Sequence, residues 1–592
     1  MAIPGNHFPR GRSSNVPSVP TSAEVQQQLT GPGGPFEVIT EEVRGIPMRV
    51  FKDRMRSLRD VAAMAAGRGD EQTYIVYGDR RIGFTEFVRG ANSVSLSLQT
   101  RYGVGHGDRV AVLSANNPEW CFAFWGTVDL GAVLVGLNGW WKTDEIVYGL
   151  EDSGAKVLIA DRGRYERVAE QAEKLPNLEA IFLTDADPAD FGGGDKLHRF
   201  DELLQAPTDE LPTTPIDEDD NAVIFYTSGT TGRPKGAIST HRSMIANLQN
   251  TIYNTVAGAM VNKVDMLASA GGGGEQSASL LTSPLFHVSG CHSGMVVGLL
   301  GGVKLVIPVG KFEPEKAMGL IQDERISIWA TVPTMVWRVV EHPDRSQYDL
   351  TSIKTVAYGG SPSAAELQRR VQETFGAVRT LGNAYGLTES SSVATAIGGQ
   401  EFLDRPDSVG RAMPVVELRI VTADGTDAPA GQLGEVWIKG PIIMPGYWNK
   451  PEATAESVTD GWLHTGDIGY IDDEGYLFIT DRAKDMIIRG GENVYCVEIE
   501  NRLAEHPAIA EAAVIGVPHQ SLGEEVKAVV RVEPGQTITE AEVRSWVAET
   551  LANFKVPTYV DIVTDKLPRN ASGKLLKNVL RGEGEVSFAE TM

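Results

Sequence analysis

Apolar residues fall into short runs separated by longer amphipathic stretches, and this rhythm changes twice along the chain. Residues 110–113, 132–135, 156–160 and 180–183 are apolar runs of strand length. Between them, apolar positions recur at helical spacing over 119–130, 144–150 and 164–174. Strand alternating with helix predicts a parallel sheet covered by helices. A second region of this kind carries runs at 223–225, 303–307, 326–331 and 354–357, and its strand ends and loops are a natural place for a ligand. Near Val416 the rhythm shortens to alternating strands at 417–421 and 434–438, which predicts a small β-rich lobe. After Asp481, a helix at 497–504, strands at 513–517 and 526–532 and a helix at 540–551 predict a compact α+β unit of roughly a hundred residues. The expected fold is α/β. A large N-terminal domain over 31–481 holds two α/β sheet lobes and the β-rich lobe, and a smaller α+β C-terminal domain spans 482–592.

Residues 1–30 are rich in Pro, Gly, Ser and Gln and lack the apolar core of a signal peptide, so a disordered or loosely docked tail and a non-secreted protein are expected. The most apolar stretches, 121–141 and 293–310, are broken by Asp129, Lys304 and several glycines, as buried helix and strand would be and a membrane span would not. Peripheral membrane contact and homodimerisation stay open. The run Gly271–Gly274 reads as a surface loop without chemistry.

Length and charge narrow the function. A chain of 592 residues exceeds a single core and leaves room for a cleft between domains. A formal net charge of -24 argues against the broad basic surface of a nucleic-acid binder, so any anionic ligand must meet local positive charge. The three cysteines, Cys121, Cys291 and Cys496, are too few and too scattered for a disulfide framework or a zinc site, which points to a reducing cytoplasm.

The strongest local signal is Tyr226-Thr227-Ser228-Gly229-Thr230-Thr231-Gly232-Arg233-Pro234-Lys235-Gly236, directly after an apolar strand. Glycines let backbone N–H groups approach an anion, the hydroxyls add donors and Lys235 adds charge, a combination suited to a polyphosphate. Its spacing is not that of a Walker P-loop. The run resembles the signature loop of the adenylate-forming superfamily, which includes acyl-CoA synthetases, luciferases and the adenylation domains of peptide synthetases. Further matches come later in the same chain order: Pro284-Leu-Phe-His287, Tyr358-Gly-Gly-Ser-Pro362, Tyr385-Gly-Leu-Thr-Glu389, residues 434–448, Trp462-Leu-His-Thr-Gly-Asp467, Asp481-Arg-Ala-Lys-Asp485, Gly490-Gly-Glu-Asn493 and Leu567-Pro-Arg-Asn-Ala-Ser-Gly-Lys574.

The resemblance implies an AMP-forming carboxylate:CoA ligase, in which a carboxylic acid and ATP give an acyl-adenylate whose acyl group passes to coenzyme A. It assigns ATP contacts to Thr227, Ser228, Gly229, Thr230, Thr231, Gly232 and Lys235, and to Gly359, Gly360, Ser361, Asn383, Ala384, Tyr385 and Gly386. Among these, Tyr385 would stack on adenine. Thr388 would contact the α-phosphate and Glu389 would hold Mg2+, a hard cation that takes carboxylate and phosphate oxygens. Asp467 would bind the ribose hydroxyls with support from Arg482. Lys574 would reach the reacting carboxylate and α-phosphate. Lys484 would be the hinge of a mobile C-terminal domain, and Gly490 and Gly491 would line the passage for the CoA arm. His287 would gate an acyl pocket walled by Val288, Cys291 and Gly360, which suits a medium- or long-chain fatty acid or another bulky apolar acid. Cys496 departs from the pattern, since many members carry proline there. Two other readings remain: an acyl-AMP ligase that donates to a carrier protein, and a catalytically inactive nucleotide-binding regulator, which the presence of Glu389, Asp467 and Lys574 disfavours.

Overall fold

The computed structural model describes residues 21–227, 233–261, 275–359, 365–376, 378, 380–482, 484–489, 492–570 and 574–582. Its first sheet has seven strands, with a parallel core formed by Val133–Gly136, Arg109–Leu113, Val157–Ala160, Ala180–Leu183 and Leu197–Arg199. Asn221–Thr227 adds parallel to Val133–Gly136, and Lys235–Thr240 closes that edge as an antiparallel partner. The near-continuous apolar runs follow from burial on both faces. Val110 and Val112 enter one core cluster, while their neighbours Ala111 and Leu113 enter another on the opposite face.

The first cluster is shared with the second sheet, because Ile75, Ile82 and Leu305 belong to it as well. Two of the helices packed into this cluster show how. One, Phe84–Tyr102, buries one side. The other, Pro118–Val128, is buried at every position, so its apolar residues run around the whole helix. Proline at its first turn and Asn117, whose side chain accepts from Trp120 N–H at 2.7 Å, set where it begins. Among the described residues no helix is long and apolar enough to cross a membrane.

The second sheet and the expected β-rich lobe are one hydrogen-bonded sheet of 14 strands. Its parallel part runs through Ala278–Leu280, Ile328–Thr331, Thr355–Gly359 and Thr380–Tyr385. The antiparallel strands Thr395–Gly398, Ser408–Ala412, Leu477–Arg482, Trp462–Ile471, Gly434–Lys439 and Glu417–Val421 continue it without a break. The β-rich lobe expected from its shorter rhythm is thus the antiparallel end of a mixed sheet, with a core of its own around Val415, Val436, Ile438 and Leu463. The C-terminal unit is a five-stranded sheet with the helices Cys496–Ala504 and Glu540–Ala548, and it has its own core around Ile499, Val514, Val526, Val530 and Val543.

Two expectations need correction. The helix expected over 164–174 is two short helices, Arg162–Tyr165 and Ala169–Ala172. The tail expected to be disordered or loosely docked over 1–30 contains the helix Ser22–Thr30, started by a reciprocal capping box between Thr21 and Glu24. Val25 and Leu29 are buried against Tyr253 of the long helix His241–Val261. Polar composition hid this helix because only two of its side chains enter the core. Residues 1–20 and the glycine run 271–274 lie outside the described residues.

Candidate active site

The strand Asn221–Thr227 turns back antiparallel into Lys235–Thr240 with Thr227 opposite Lys235, so the base of the glycine- and hydroxyl-rich loop is a hairpin at the edge of the first sheet. Thr227 Oγ1 donates to the Lys235 carbonyl at 3.4 Å. Ser228, Gly229, Thr230, Thr231 and Gly232 lie outside the described residues, as do Gly360, Ser361, Gly490 and Gly491. The Lys235 ammonium sits 5.0 Å above the Tyr447 ring, and Tyr447 donates its hydroxyl to Glu389 Oε1 at 2.8 Å. One aromatic residue therefore joins the loop's lysine to the acidic residue. Burial beside the Glu389 carboxylate raises the Tyr447 phenol, so it stays a donor. Sequence reasoning misses Tyr447 although it lies inside the 434–448 run.

Thr388 and Glu389 occupy a single short 3-10 turn, Thr388–Ser390. The backbone just beyond it is strained: Ser391 has φ 50° and Ser392 φ 108°, a region that residues with a Cβ seldom enter. Buried hydroxyls hold the turn in place. Ser391 Oγ lies 3.1 Å from Ser239 Oγ and 2.9 Å from Ser243 Oγ, and Ser293 Oγ meets Ser392 Oγ at 2.6 Å. His292 adds Nδ1 at 3.3 Å from the Ser391 carbonyl, which requires the proton on Nδ1. Burial depresses this imidazole to about 3, so it is neutral. Nothing in its surroundings in sequence marks His292 out. Gly386 is fixed by space, since a Cβ there would come 1.6 Å from the Ser392 carbonyl oxygen. At Gly359, by contrast, a Cβ would meet only the Ala384 oxygen, at 3.8 Å.

Gly359 pairs with Ala384 where two parallel strands end, and Asn383 and Tyr385 flank Ala384. Asn383 is buried and its amide donates to the Ser408 carbonyl at 3.4 Å. The Tyr385 hydroxyl donates to Asp467 Oδ2 at 2.6 Å, while Arg482 Nε lies 3.0 Å from Oδ1 of the same carboxylate. Asp467 and Arg482 face each other across adjacent antiparallel strands, so backbone register alone brings them together. A carboxylate has about four lone-pair sites, so Asp467 keeps acceptor capacity for vicinal hydroxyls.

Lys574 reaches this place from the far end of the chain. Hydrogen bonds to the residues before it hold it: Lys574 N–H donates to Asn570 Oδ1 at 2.9 Å, Asn570 N–H to the Lys574 carbonyl at 2.8 Å and Leu576 N–H to the Pro568 carbonyl at 2.8 Å. Its ammonium lies within the fields of Arg482, Asp467, Glu389 and Lys484. Loss of water contact, and then the Arg482 guanidinium, lower its pKa to about 8 against the pull of the two carboxylates. His287 also feels Lys574; burial, reinforced by that charge, lowers it to about 4. Ser289 N–H donates to His287 Nδ1 at 3.3 Å, so the neutral ring carries its proton on Nε2. Val288 and Cys291 are buried in the main core, where burial keeps the Cys291 thiol protonated. Lys484 lies exposed in the turn between Leu477–Arg482 and Ile487–Arg489.

A magnesium ion fits what is here in one way. Among the described residues no cluster of three or more His, Cys, Asp or Glu side chains could hold a metal alone. Glu389 offers a single carboxylate beside the loop expected to carry phosphates, and Mg2+ commonly takes one carboxylate together with substrate phosphates.

The chain matches the family model of AMP-binding enzymes over residues 62–448 and that of the AMP-binding enzyme C-terminal domain over 498–574. It is 36% identical to the 3-[(3aS,4S,7aS)-7a-methyl-1,5-dioxo-octahydro-1H-inden-4-yl]propanoyl:CoA ligase of Rhodococcus jostii (strain RHA1), over 88% of this chain and 97% of that one. It is also 36% identical to a long-chain-fatty-acid–CoA ligase of Mycobacterium tuberculosis, over 81% and 89%. The solved structure of ATP-bound MatB from Rhodopseudomonas palustris superposes with a TM-score of 0.75 at 31% identity, covering 89% of this chain and 99% of that one.

Proposed function

The chain belongs to the AMP-binding enzyme family and is an AMP-forming carboxylate:CoA ligase, and from that premise we propose that it activates a medium- or long-chain fatty acid or another bulky apolar acid. The observation that carries the reading is the convergence, from two domains, of Lys574 with Glu389, Asp467, Arg482 and His287. In the first half-reaction a carboxylate oxygen of the acid attacks the α-phosphorus of ATP, and the bond to the β-phosphate breaks to release pyrophosphate. Tyr385 and Asp467 hold the nucleoside, and Thr388 and Lys235 meet the phosphates. Lys574 holds the carboxylate in line and offsets the negative charge that builds on the α-phosphate. Magnesium, held by Glu389 and the phosphates, supplies charge neutralisation when bound. In the second half-reaction the CoA thiolate attacks the acyl carbon and AMP leaves. Rotation about Lys484 withdraws Lys574 and brings Gly490 and Gly491 to the CoA arm, so one cleft serves both steps.

His287, held neutral by burial and the Lys574 charge, and the buried apolar Val288 and Cys291 support the choice of acid, since none of these three side chains itself offers a cation to a second carboxylate. The two relatives named above are ligases of a fused-ring propanoyl acid and of long-chain fatty acids. Three free, buried thiols suit a reducing compartment and support a cytoplasmic enzyme.

Lys574→Ala tests the assignment. ATP–pyrophosphate exchange should fall by at least about 100-fold, the scale of losing one preorganised transition-state donor, while thioester formation from supplied acyl-AMP persists. Full exchange by the variant would remove Lys574 from the first step.

A further inference from the structure

Asp481 lies near the end of the strand Leu477–Arg482 in the large sheet, just before the turn that carries Lys484. It is 3% exposed, and both its oxygens accept backbone N–H groups. Oδ1 takes Arg482 N–H at 2.7 Å, and Oδ2 takes Cys496 N–H at 2.5 Å. The second bond crosses the turn, because Cys496 is the first residue of the C-terminal domain's helix Cys496–Ala504. Tyr495, the residue at that helix's cap position, makes no side-chain capping bond. A carboxylate from the other domain thus occupies the place of the cap, where the helix dipole favours negative charge.

The same helix leads back to the lysine of the site. Its Glu500 pairs with Lys577 Nζ at 2.8 Å, and both partners are largely buried. Lys577 also lies in the field of the Asp481 carboxylate. It stands three residues after Lys574, at the start of the short helix Lys577–Leu580, just beyond Leu576, whose N–H donates to the Pro568 carbonyl. Asp481 therefore touches the C-terminal domain at its first helix and acts electrostatically on the cation three residues after Lys574.

We propose that Asp481 is a positioning residue for adenylation: capping the helix from across the hinge and facing Lys577, it fixes the C-terminal domain in the orientation that presents Lys574 to Glu389 and Asp467. A large rotation at Lys484 displaces Cys496 and Lys577 relative to Asp481, so the contact belongs to this orientation alone. The inference rests on Lys574 acting in the first half-reaction.

Cys496→Pro deletes the donor with little other change. Proline is favoured at the first position of a helix. Tyr495 before it is extended, with φ -88° and ψ 116°, the conformation that a following proline imposes. Cys496→Ala is the control: it removes the thiol, which lies 3.0 Å from the Asp485 carbonyl, and keeps the N–H. Both variants, with Asp481→Asn and Lys574→Ala, are assayed as full chains. ATP–pyrophosphate exchange reports the first half-reaction and thioester formation from supplied acyl-AMP the second, with dodecanoate or whichever acid the wild type turns over fastest. Cys496→Pro and Asp481→Asn should lose exchange by about tenfold or more, the scale of one hydrogen bond to a charged group. Their thioester rates should stay within about twofold of wild type, and Cys496→Ala should match wild type in both. Unchanged exchange in Cys496→Pro, or equal loss of both half-reactions, overturns the inference while Lys574→Ala remains defective. Retained exchange in Lys574→Ala removes the premise and the inference with it.

Discussion

Lys574 sits where an ammonium sheds its proton more easily than in water, since burial and Arg482 both work against its charge. In the proposed role of Lys574 the protonated form offsets charge on the α-phosphate, so kcat/KM for adenylation should fall as pH rises through about 8. Lys574→Arg keeps its proton throughout and should move that limb to higher pH. A wild-type profile flat from pH 7 to about 9 would contradict this account of the lysine. Asp129 shows the same physics away from the site. Burial pushes its carboxyl from 3.8 up to about 8, and neither oxygen has a hydrogen-bond partner among the described residues. The folded state then keeps a proton that the unfolded chain releases, so stability falls as pH rises from roughly 4 towards 8. Asp129→Asn, which does not ionise, should gain in melting temperature relative to wild type between pH 5 and pH 8. A gap that does not change with pH would show that Asp129 is ionised in the fold.

Elements whose rhythm repeats were readable from sequence, and elements defined by a few contacts were not. Strands at 110–113 and 157–160 announce themselves because both faces are buried. The helix Ser22–Thr30 buries only Val25 and Leu29, and the continuity of the 14-stranded sheet depends on pairings between strands far apart in sequence. The site divides in the same way. Thr388, Glu389, Asp467 and Lys574 lie in glycine-marked runs, as does Tyr447, whose link to Lys235 and Glu389 only the fold reveals, whereas His292 gains its place only from a bond to Ser391. At the turn after Arg482, where Asp485 and Met486 N–H both donate to the Arg482 carbonyl, Lys484→Pro should stiffen the link. Exchange should persist and thioester formation should fall by about tenfold or more, as expected for a hinge that moves between the half-reactions. Equal loss of both would place the hinge elsewhere.

At the scale of the molecule, the proposed function has a strongly acidic chain meet polyanionic substrates with cations drawn from three parts of the chain. Lys235 comes from the first sheet, Arg482 from the end of the second and Lys574 from the C-terminal domain. On the proposed rotation those charges come together only when the domains close, so ATP would favour one orientation and the same cleft would serve the second reaction in the other. The most direct test is CoA-thiol consumption with ATP, measured together with AMP and pyrophosphate, across acetate, long-chain, aromatic and fused-ring carboxylates. Equal yields of thioester, AMP and pyrophosphate, greatest with bulky apolar acids and absent without magnesium, are the predicted result. Pyrophosphate release without thiol loss on every acid would contradict transfer to CoA, and turnover confined to acetate would contradict the bulky apolar pocket.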